Sequence, residues 1–245
     1  MYFPRMSNPA RRLLHILGRT MEQEFVGQKQ GVVLRSILDL PLGSDDFKLL
    51  GKLGRLFGLP AVIASQMRRI PNIKRSAYLG WQTDLLEAFK NVNIDQNVNG
   101  LRKALSGSLL SSIELCAIEL DKHFPEVELD KNALREILSD IVPIFDRLLA
   151  ADATDPVTRY LLDHIFKIIE AIENYLLTGS PEIQCAIDEI IGTTFTKPEV
   201  AKKAAESNEG QDMWKVVGKI AVFLKLGASA LTLLERAQKM LPPSH

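Results

Sequence analysis

The side chains best suited to acid–base, nucleophilic or metal chemistry are four histidines and two cysteines: His15, Cys116, His123, His164, Cys185 and His245. No two of them have the spacing of a zinc site, and no Gly-x-Ser-x-Gly, Ser-x-x-Lys or His-Glu-x-x-His motif is present. Glu119 and His123 are four apart, whereas di-iron bundles repeat a Glu and a His three apart. The spacing predicts no metal, cofactor, catalytic residue or small-molecule site, and enzymatic activity is uncertain and less favoured than binding.

Two of these residues fall on apolar helical faces. His164 lies on such a stripe, which predicts a core histidine; as a catalytic group it would need a carboxylate or nucleophile from another helix. Cys116 is in step with Ile113 and Leu120, which predicts a buried thiol.

Two cysteines without a Cys-x-x-Cys pair are too few for a secreted disulfide framework. The N-terminal apolar run is too broken for a secretory signal, so we expect a cytoplasmic location.

Three glycines, at positions 51, 54 and 58, superficially resemble a phosphate-binding loop. They lack the Gly-x-x-x-x-Gly-Lys-Ser/Thr spacing and a preceding strand. Gly54-x-x-x-Gly58 instead predicts a close contact between helices.

Helical periodicity is strongest in the middle of the chain. Asp155-Pro156 predicts a helix start, an apolar stripe runs from Val157 to Leu176, and Gly179 is placed as a left-handed C-cap. The next helix is expected to begin at Ser180-Pro181 and to close at Gly192. Further helices are predicted at 108–123 and after Asp130, the latter kinked by Pro143.

The first half predicts shorter helices, over 9–25, 44–57, 60–70, 75–90 and 95–105. Pro41, Pro60 and Pro71 are expected to break them. Only residues 193–196 are β-prone, so the fold class is all-α, an irregular multi-helix bundle. Asn-rich turns suggest a boundary near residue 95, between a basic helical region (1–95) and a helical bundle (96–245).

The C-terminal segment is unusually apolar, because Lys225 is the only charge between Ile220 and Leu234. This pattern predicts a long apolar helix, which is buried in the bundle, contacts a partner, or enters a membrane through residues 214–240. Phe223, Leu224 and Leu231 are its candidate partner-binding residues.

Charge is strongly segregated although the net charge is zero. Residues 1–110 carry 16 basic and 8 acidic residues, and residues 111–192 carry 6 and 17. The segregation suggests that the blocks dock on each other or face partners. Four cations could contact a protein partner, a lipid or nucleic-acid phosphates: Arg68, Arg69, Lys74 and Arg75. A helix-turn-helix over 44–70 would place them near DNA, but its spacing is poor.

Several segments resemble a family of uncharacterised bacterial all-helical proteins with no assigned activity. The resemblance covers about residues 8–205 and rests on four segments: residues 8–14, residues 79–81, residues 113–130 and residues 174–179. It implies an all-helical bacterial protein and carries over no catalytic residue.

We therefore predict a non-enzymatic protein that acts by protein–protein interaction, with a protein partner or by self-association. From the resemblance we expect an accessory or regulatory component of a defence or immunity system, including antiviral defence. The alternatives are a membrane-active effector that uses the C-terminal helix and a nucleic-acid-binding protein that uses the basic N-terminal region.

Overall fold

The structure is a computed structural model that describes residues 6–41, 43–74, 78–152 and 154–225. Within these ranges the chain forms twelve α-helices and one 3₁₀ turn at Gln23–Phe25. The helices are α1 Pro9–Thr20, α2 Gln30–Ile37, α3 Asp46–Arg69, α4 Trp81–Lys90, α5 Asn99–Ala104, α6 Gly107–His123, α7 Lys131–Leu149, α8 Pro156–Glu173, α9 Tyr175–Thr178, α10 Ser180–Thr196, α11 Pro198–Glu206 and α12 Asn208–Phe223.

The all-α prediction is confirmed for the described residues, which contain no β-strand and only an isolated bridge between Lys29 and Asn97. The β-prone residues 193–196 form the last turn of α10, so this helix does not end at Gly192 as expected. Thr194 is buried and its hydroxyl donates to the Ile191 carbonyl, which shows how the helix accommodates a β-branched side chain.

The chain divides into two compact units. The described part of the first unit lies within residues 6–126 and includes Leu176–Gly179, and that of the second lies within residues 127–175 and 180–225. The boundary predicted near residue 95 thus falls inside the first unit, before α5. The Asn-rich turns there form local structure, in which the Asn93 and Asn97 side chains accept from backbone N–H groups two residues ahead.

The core of the first unit is centred on α1 and α6, which pack against each other and against α3. Leu13, Ile16 and Leu17 on α1 are buried with Ile113 and Leu120 on α6. Arg11, from the basic residues 1–110, pairs with Asp121, from the acidic residues 111–192, at 3.0 Å. Part of the charge segregation is therefore satisfied inside this unit.

Helix α3 is continuous, which corrects the prediction of two helices separated at Pro60. Asp45 caps it by accepting from the Phe47 N–H, and it runs to Arg69 with Pro60 inside. A helix interior tolerates proline when apolar packing on both sides outweighs the lost backbone bond. That packing is a buried stripe along one face: Leu49, Leu53, Leu56, Leu59, Ile63, Ala64 and Met67. The helix-turn-helix interpretation of 44–70 is therefore wrong.

In the second unit, α8 packs against α7, α10 and α11, and α12 packs against α7 and α11. The predicted start of α8 is confirmed, since the Asp155 carboxylate accepts from the Thr158 N–H and Pro156 occupies the first turn. Asp130 likewise caps α7, which contains Pro143. Gly179 has φ +71°, in agreement with its predicted left-handed conformation.

The long apolar C-terminal helix is not supported. Helix α12 ends at Phe223, where the Leu224 N–H bonds to the Ile220 carbonyl and Lys225 takes a φ of +51°. A left-handed lysine interrupts a right-handed helix, so the expected continuous run to Leu234 is broken at this point. Residues 226–245, including Leu231, lie outside the described part of the chain.

Candidate functional site

The basic stretch that we predicted as partner-binding lies at the C-terminal end of α3. Arg68 and Arg69 are exposed in the last turn, Lys74 is exposed beyond it, and Arg75 lies outside the described residues. The Arg69 guanidinium carbon is 5.1 Å from the centroid of the Phe124 ring, which is a cation–π contact. Arg69 is therefore held against its own chain, while its charge still faces solvent.

The predicted contact residues near the C-terminus, Phe223 and Leu224, differ in how far they are buried. Leu224 is only 4 % exposed and Phe223 is half-buried. Leu224 continues the buried stripe of α12, formed by Val217, Ile220 and Ala221. The side chain of Leu224 thus belongs to the core of the second unit.

A different surface carries the clearest exposed apolar area among the described residues. The outer face of α3, as we call it, consists of residues on the side of the helix opposite its buried stripe: Phe47, Leu50, Gly51, Gly54, Phe57, Gly58, Ala61 and Val62. Their spacing of three or four residues places them on one face. The side chains of Phe47, Leu50, Phe57 and Val62 are 80 %, 51 %, 40 % and 45 % exposed. No charged residue interrupts this face, whereas an exposed helix side is normally polar.

The glycines of the outer face have no role inside the chain that the structure shows. A Cβ added at Gly51, Gly54 or Gly58 would meet none of the described residues within 4 Å, so the packing seen there does not require these glycines. Each glycine in a helix interior costs about 1 kcal/mol relative to alanine. Three such costs on one exposed face suggest a requirement for close approach by something outside the unit.

The sequence contained part of this signal. Gly54-x-x-x-Gly58 predicted a close helix contact, but the assumed break at Pro60 hid the continuity from Phe47 to Val62. Once α3 is one helix, the exposed apolar residues fall on a single face. The exposed apolar face could have been predicted from the hydrophobic pattern if residues 46–69 had been treated as one continuous helix.

His164 was the best candidate for chemistry, and the structure gives it hydroxyl partners. The Thr193 hydroxyl oxygen lies 3.0 Å from His164 Nε2 and 3.1 Å from the Tyr160 hydroxyl oxygen. Thr193 donates its single hydrogen to the Ile190 carbonyl at 2.8 Å. Tyr160 and the His164 Nε2–H must then donate to Thr193, and the buried His164 Nδ1 is left as an acceptor to which no described residue donates.

This arrangement favours a structural role for His164. Burial lowers its pKa to about 4, so the imidazole is neutral near pH 7. A general base must reach a substrate, yet His164 is only 4 % exposed. The Thr193 proton is committed to a backbone carbonyl, so this hydroxyl is not activated as a nucleophile. The prediction of a core histidine is confirmed, and the group joins α8 to α10.

A buried ion pair in the first unit was not foreseen from the sequence. Arg12 Nη1 donates to Glu126 Oε2, Arg12 Nη2 lies 3.3 Å from Glu126 Oε1, and Arg12 Nε donates to the Leu177 carbonyl at 3.1 Å. Burial raises the pKa of the Glu126 carboxyl, and the adjacent guanidinium opposes this rise. A Cβ at Gly179 would overlap both Arg12 Nη1 and Glu126 Oε2. The bond from Arg12 to the Leu177 carbonyl fastens the 176–179 segment to α1.

Cys116 is a buried thiol, as predicted. Trp81 Nε1 donates to its sulfur at 3.3 Å, and the thiol donates to the Tyr78 carbonyl at 3.1 Å. Burial raises the pKa of this thiol, which disfavours the reactive thiolate. Cys185 is exposed and unpaired.

Comparison with known proteins gives no match to any family model, curated protein or solved structure. Within the described ranges, no three His, Cys, Asp or Glu side chains are grouped closely enough to hold a metal ion. None of the helices in that part of the chain is both long and apolar enough to span a bilayer. The outer face of α3 is the candidate that the geometry favours, because four large apolar side chains are exposed on it.

Proposed function

We propose that this protein acts by binding another protein through the outer face of α3, without catalysing a reaction. The observation that supports this is the uninterrupted apolar face from Phe47 to Val62 on a helix whose opposite face builds the core. Exposed apolar patches on a folded domain mark interaction sites. A helix anchored by its inner face presents such a patch with little loss of conformational entropy on binding.

The biological setting is also proposed. The resemblance to bacterial all-helical proteins favours an accessory or regulatory component of a defence or immunity system, located in the cytoplasm. An accessory or regulatory role of this kind requires a recognition surface, and the exposed outer face of α3 is a candidate for it.

The test compares two leucines with the same exposure. Leu50 on the outer face is 51 % exposed and Leu115 on α6 is 53 % exposed. We expect tagged wild-type protein and Leu115→Asp to recover the same partner from the native host, and Leu50→Asp to lose it. Recovery of identical proteins by all three would contradict the proposal, because a charge at the centre of an apolar contact must weaken it.

Nucleic-acid binding is the second candidate, supported by the exposed cations Arg68, Arg69 and Lys74 at one end of α3. It predicts binding to duplex DNA or RNA that falls steeply with salt and is lost when Arg68 and Lys74 are changed to Glu. Binding of the Leu50→Asp variant would be unchanged, which separates this function from the first. The membrane-active alternative, which uses residues 214–240, stays a prediction, since residues 226–240 lie outside the described part of the chain.

A further inference from the structure

We infer that the partner seated on the outer face of α3 is the α3 helix of a second copy of this chain, running antiparallel to the first. This inference rests on the proposed binding function and names its partner. The large and small residues of the face are arranged so that the helix is complementary to itself.

The size pattern defines a register. When a two-fold axis passes next to Gly54, each residue lies across from the one equally far on the other side of Gly54 in the second copy. Phe47 then faces Ala61, Leu50 faces Gly58, and Phe57 faces Gly51. Three of the four large exposed side chains thus meet a glycine or an alanine. Gly54 meets Gly54, which lets the two backbones approach closely.

The space that this register needs is present. None of the described residues lies within 4 Å of a Cβ position at Gly51, Gly54 or Gly58, so in that part of the chain nothing occupies the sites that would receive Leu50, Phe57 and the opposing backbone. Phe57 also lies beside Phe89 of α4, with ring centroids 4.7 Å apart, which restrains its orientation. Ridges that fill grooves in this way are the general basis of helix packing.

Charge at the helix ends selects the antiparallel direction. Asp45 and Asp46 begin α3, and Arg68 and Arg69 end it. A parallel pair would bring the two arginine ends together, whereas an antiparallel pair keeps them at opposite ends of the contact. Two cations flank the centre of this face: Lys52 is already bonded to the Leu38 carbonyl of its own chain at 3.1 Å, and Arg55 is half-buried.

The contact is small, because one helix from each copy supplies it. Stable interfaces bury about 800 Å² per partner, and a pair of single helices buries less. We therefore expect a dimer that dissociates in the micromolar range and is seen by sedimentation between about 1 and 100 μM. Leu115→Asp should dimerise like the wild type, and Leu50→Asp should weaken dimerisation by about tenfold or more.

Gly54→Leu separates an interface role from a structural one. Its side chain would enter open space in the single chain, so the thermal unfolding temperature of the monomer should stay the same or rise. In the dimer the same side chain would separate the two helices, and dimerisation should fall at least tenfold. A loss of monomer stability without a change in association would overturn the inference.

Disulfide trapping tests the register. In a Cys185→Ser background, Leu50→Cys and Gly58→Cys chains should each form few disulfides alone, and should cross-link efficiently when mixed. Gly54→Cys should cross-link to itself, and Lys48→Cys, on the flank of the same helix, should not. A cross-link from position 50 or 54 to another segment of the same chain, including residues 226–245, would overturn the inference.

Two outcomes keep the inference distinct from the proposed function. If the wild type is monomeric at 100 μM and Leu50→Asp still loses a host partner, self-association is wrong and heterologous binding stands. If the wild type is monomeric and Leu50→Asp retains every host partner, both are wrong.

Discussion

At the scale of single residues, the buried imidazole of His164 makes the stability of the protein depend on pH. An unfolded histidine takes up a proton as the pH falls below about 6.5, whereas folded His164 stays neutral down to about 4. The unfolded state therefore binds more protons in this window. Stability that is fully present above pH 6.5 is lost as the pH falls toward 4.

We predict that His164→Gln removes this dependence, because glutamine donates to Thr193 and does not titrate. Between pH 7 and pH 4.5 the wild type should lose about 2 kcal/mol more unfolding free energy than the variant. Urea unfolding at the two pH values measures the difference, and other titrating groups cancel between the two proteins. Equal losses in both would show that His164 is not the group responsible.

Gly179 is a second residue at which a single substitution is expected to change stability. Its φ of +71° disfavours a side chain, and a Cβ would displace the buried Arg12–Glu126 pair. We expect Gly179→Ala to lower the unfolding free energy by about 3 kcal/mol. Gly192→Ala is the control, because Gly192 is exposed in α10 with nothing within 4 Å, and it should be neutral or stabilising. Similar effects of the two changes in a thermal melt would contradict this account.

At the scale of elements, α3 contains Pro60 in its interior, where a proline removes one backbone hydrogen bond from the helix. Pro60 cannot donate to the Leu56 carbonyl, and its own carbonyl accepts from Gln82 Nε2 at 3.2 Å. Pro60→Ala keeps that acceptor and restores a donor. We predict a gain of about 1–3 kcal/mol in unfolding free energy, measured by urea titration. A loss of stability would mean that the packing of α3 requires the proline ring.

Most helices could be predicted from local signals. The signals from Asp130, Asp155 and Gly179 act at short range. Each aspartate accepts from a backbone N–H group in the first turn of the helix that it caps, and the glycine ends a helix directly before it. The α3 prediction failed because the proline penalty is local while the apolar burial that outweighs it is spread over the whole helix. Similarly, residues 193–196 have β propensity, but their neighbours in α10 are already helical.

The site was harder to predict than the fold. The glycine spacing was visible, but exposure depends on which face the core selects, and this is a tertiary property. The Arg12–Glu126 pair joins positions 114 residues apart in sequence. No spacing rule connects such positions, so a single sequence does not reveal the pair.

At the scale of the whole molecule, self-association makes thermal stability depend on concentration. Binding that favours the folded state raises the apparent unfolding temperature as the free protein concentration increases. We predict that the melting temperature of the wild type rises by a few degrees between 1 and 100 μM, and that of Leu50→Asp stays constant. Differential scanning calorimetry checks this, with Leu115→Asp as the control. A concentration-independent wild type would contradict the dimer.

The 176–179 segment has a consequence for how the chain can be divided. It belongs to the first unit, although the residues on both sides of it belong to the second. A gene fragment that stops at Glu126 would encode α1 with Arg12 lacking its acceptor at Leu177, and a fragment that starts at Val127 would carry four residues foreign to its own core. No single cut separates the two units cleanly, so each fragment would lack or carry residues of the other unit. A synthetic peptide spanning 174–181, added to the 1–126 fragment, should restore folding by complementation.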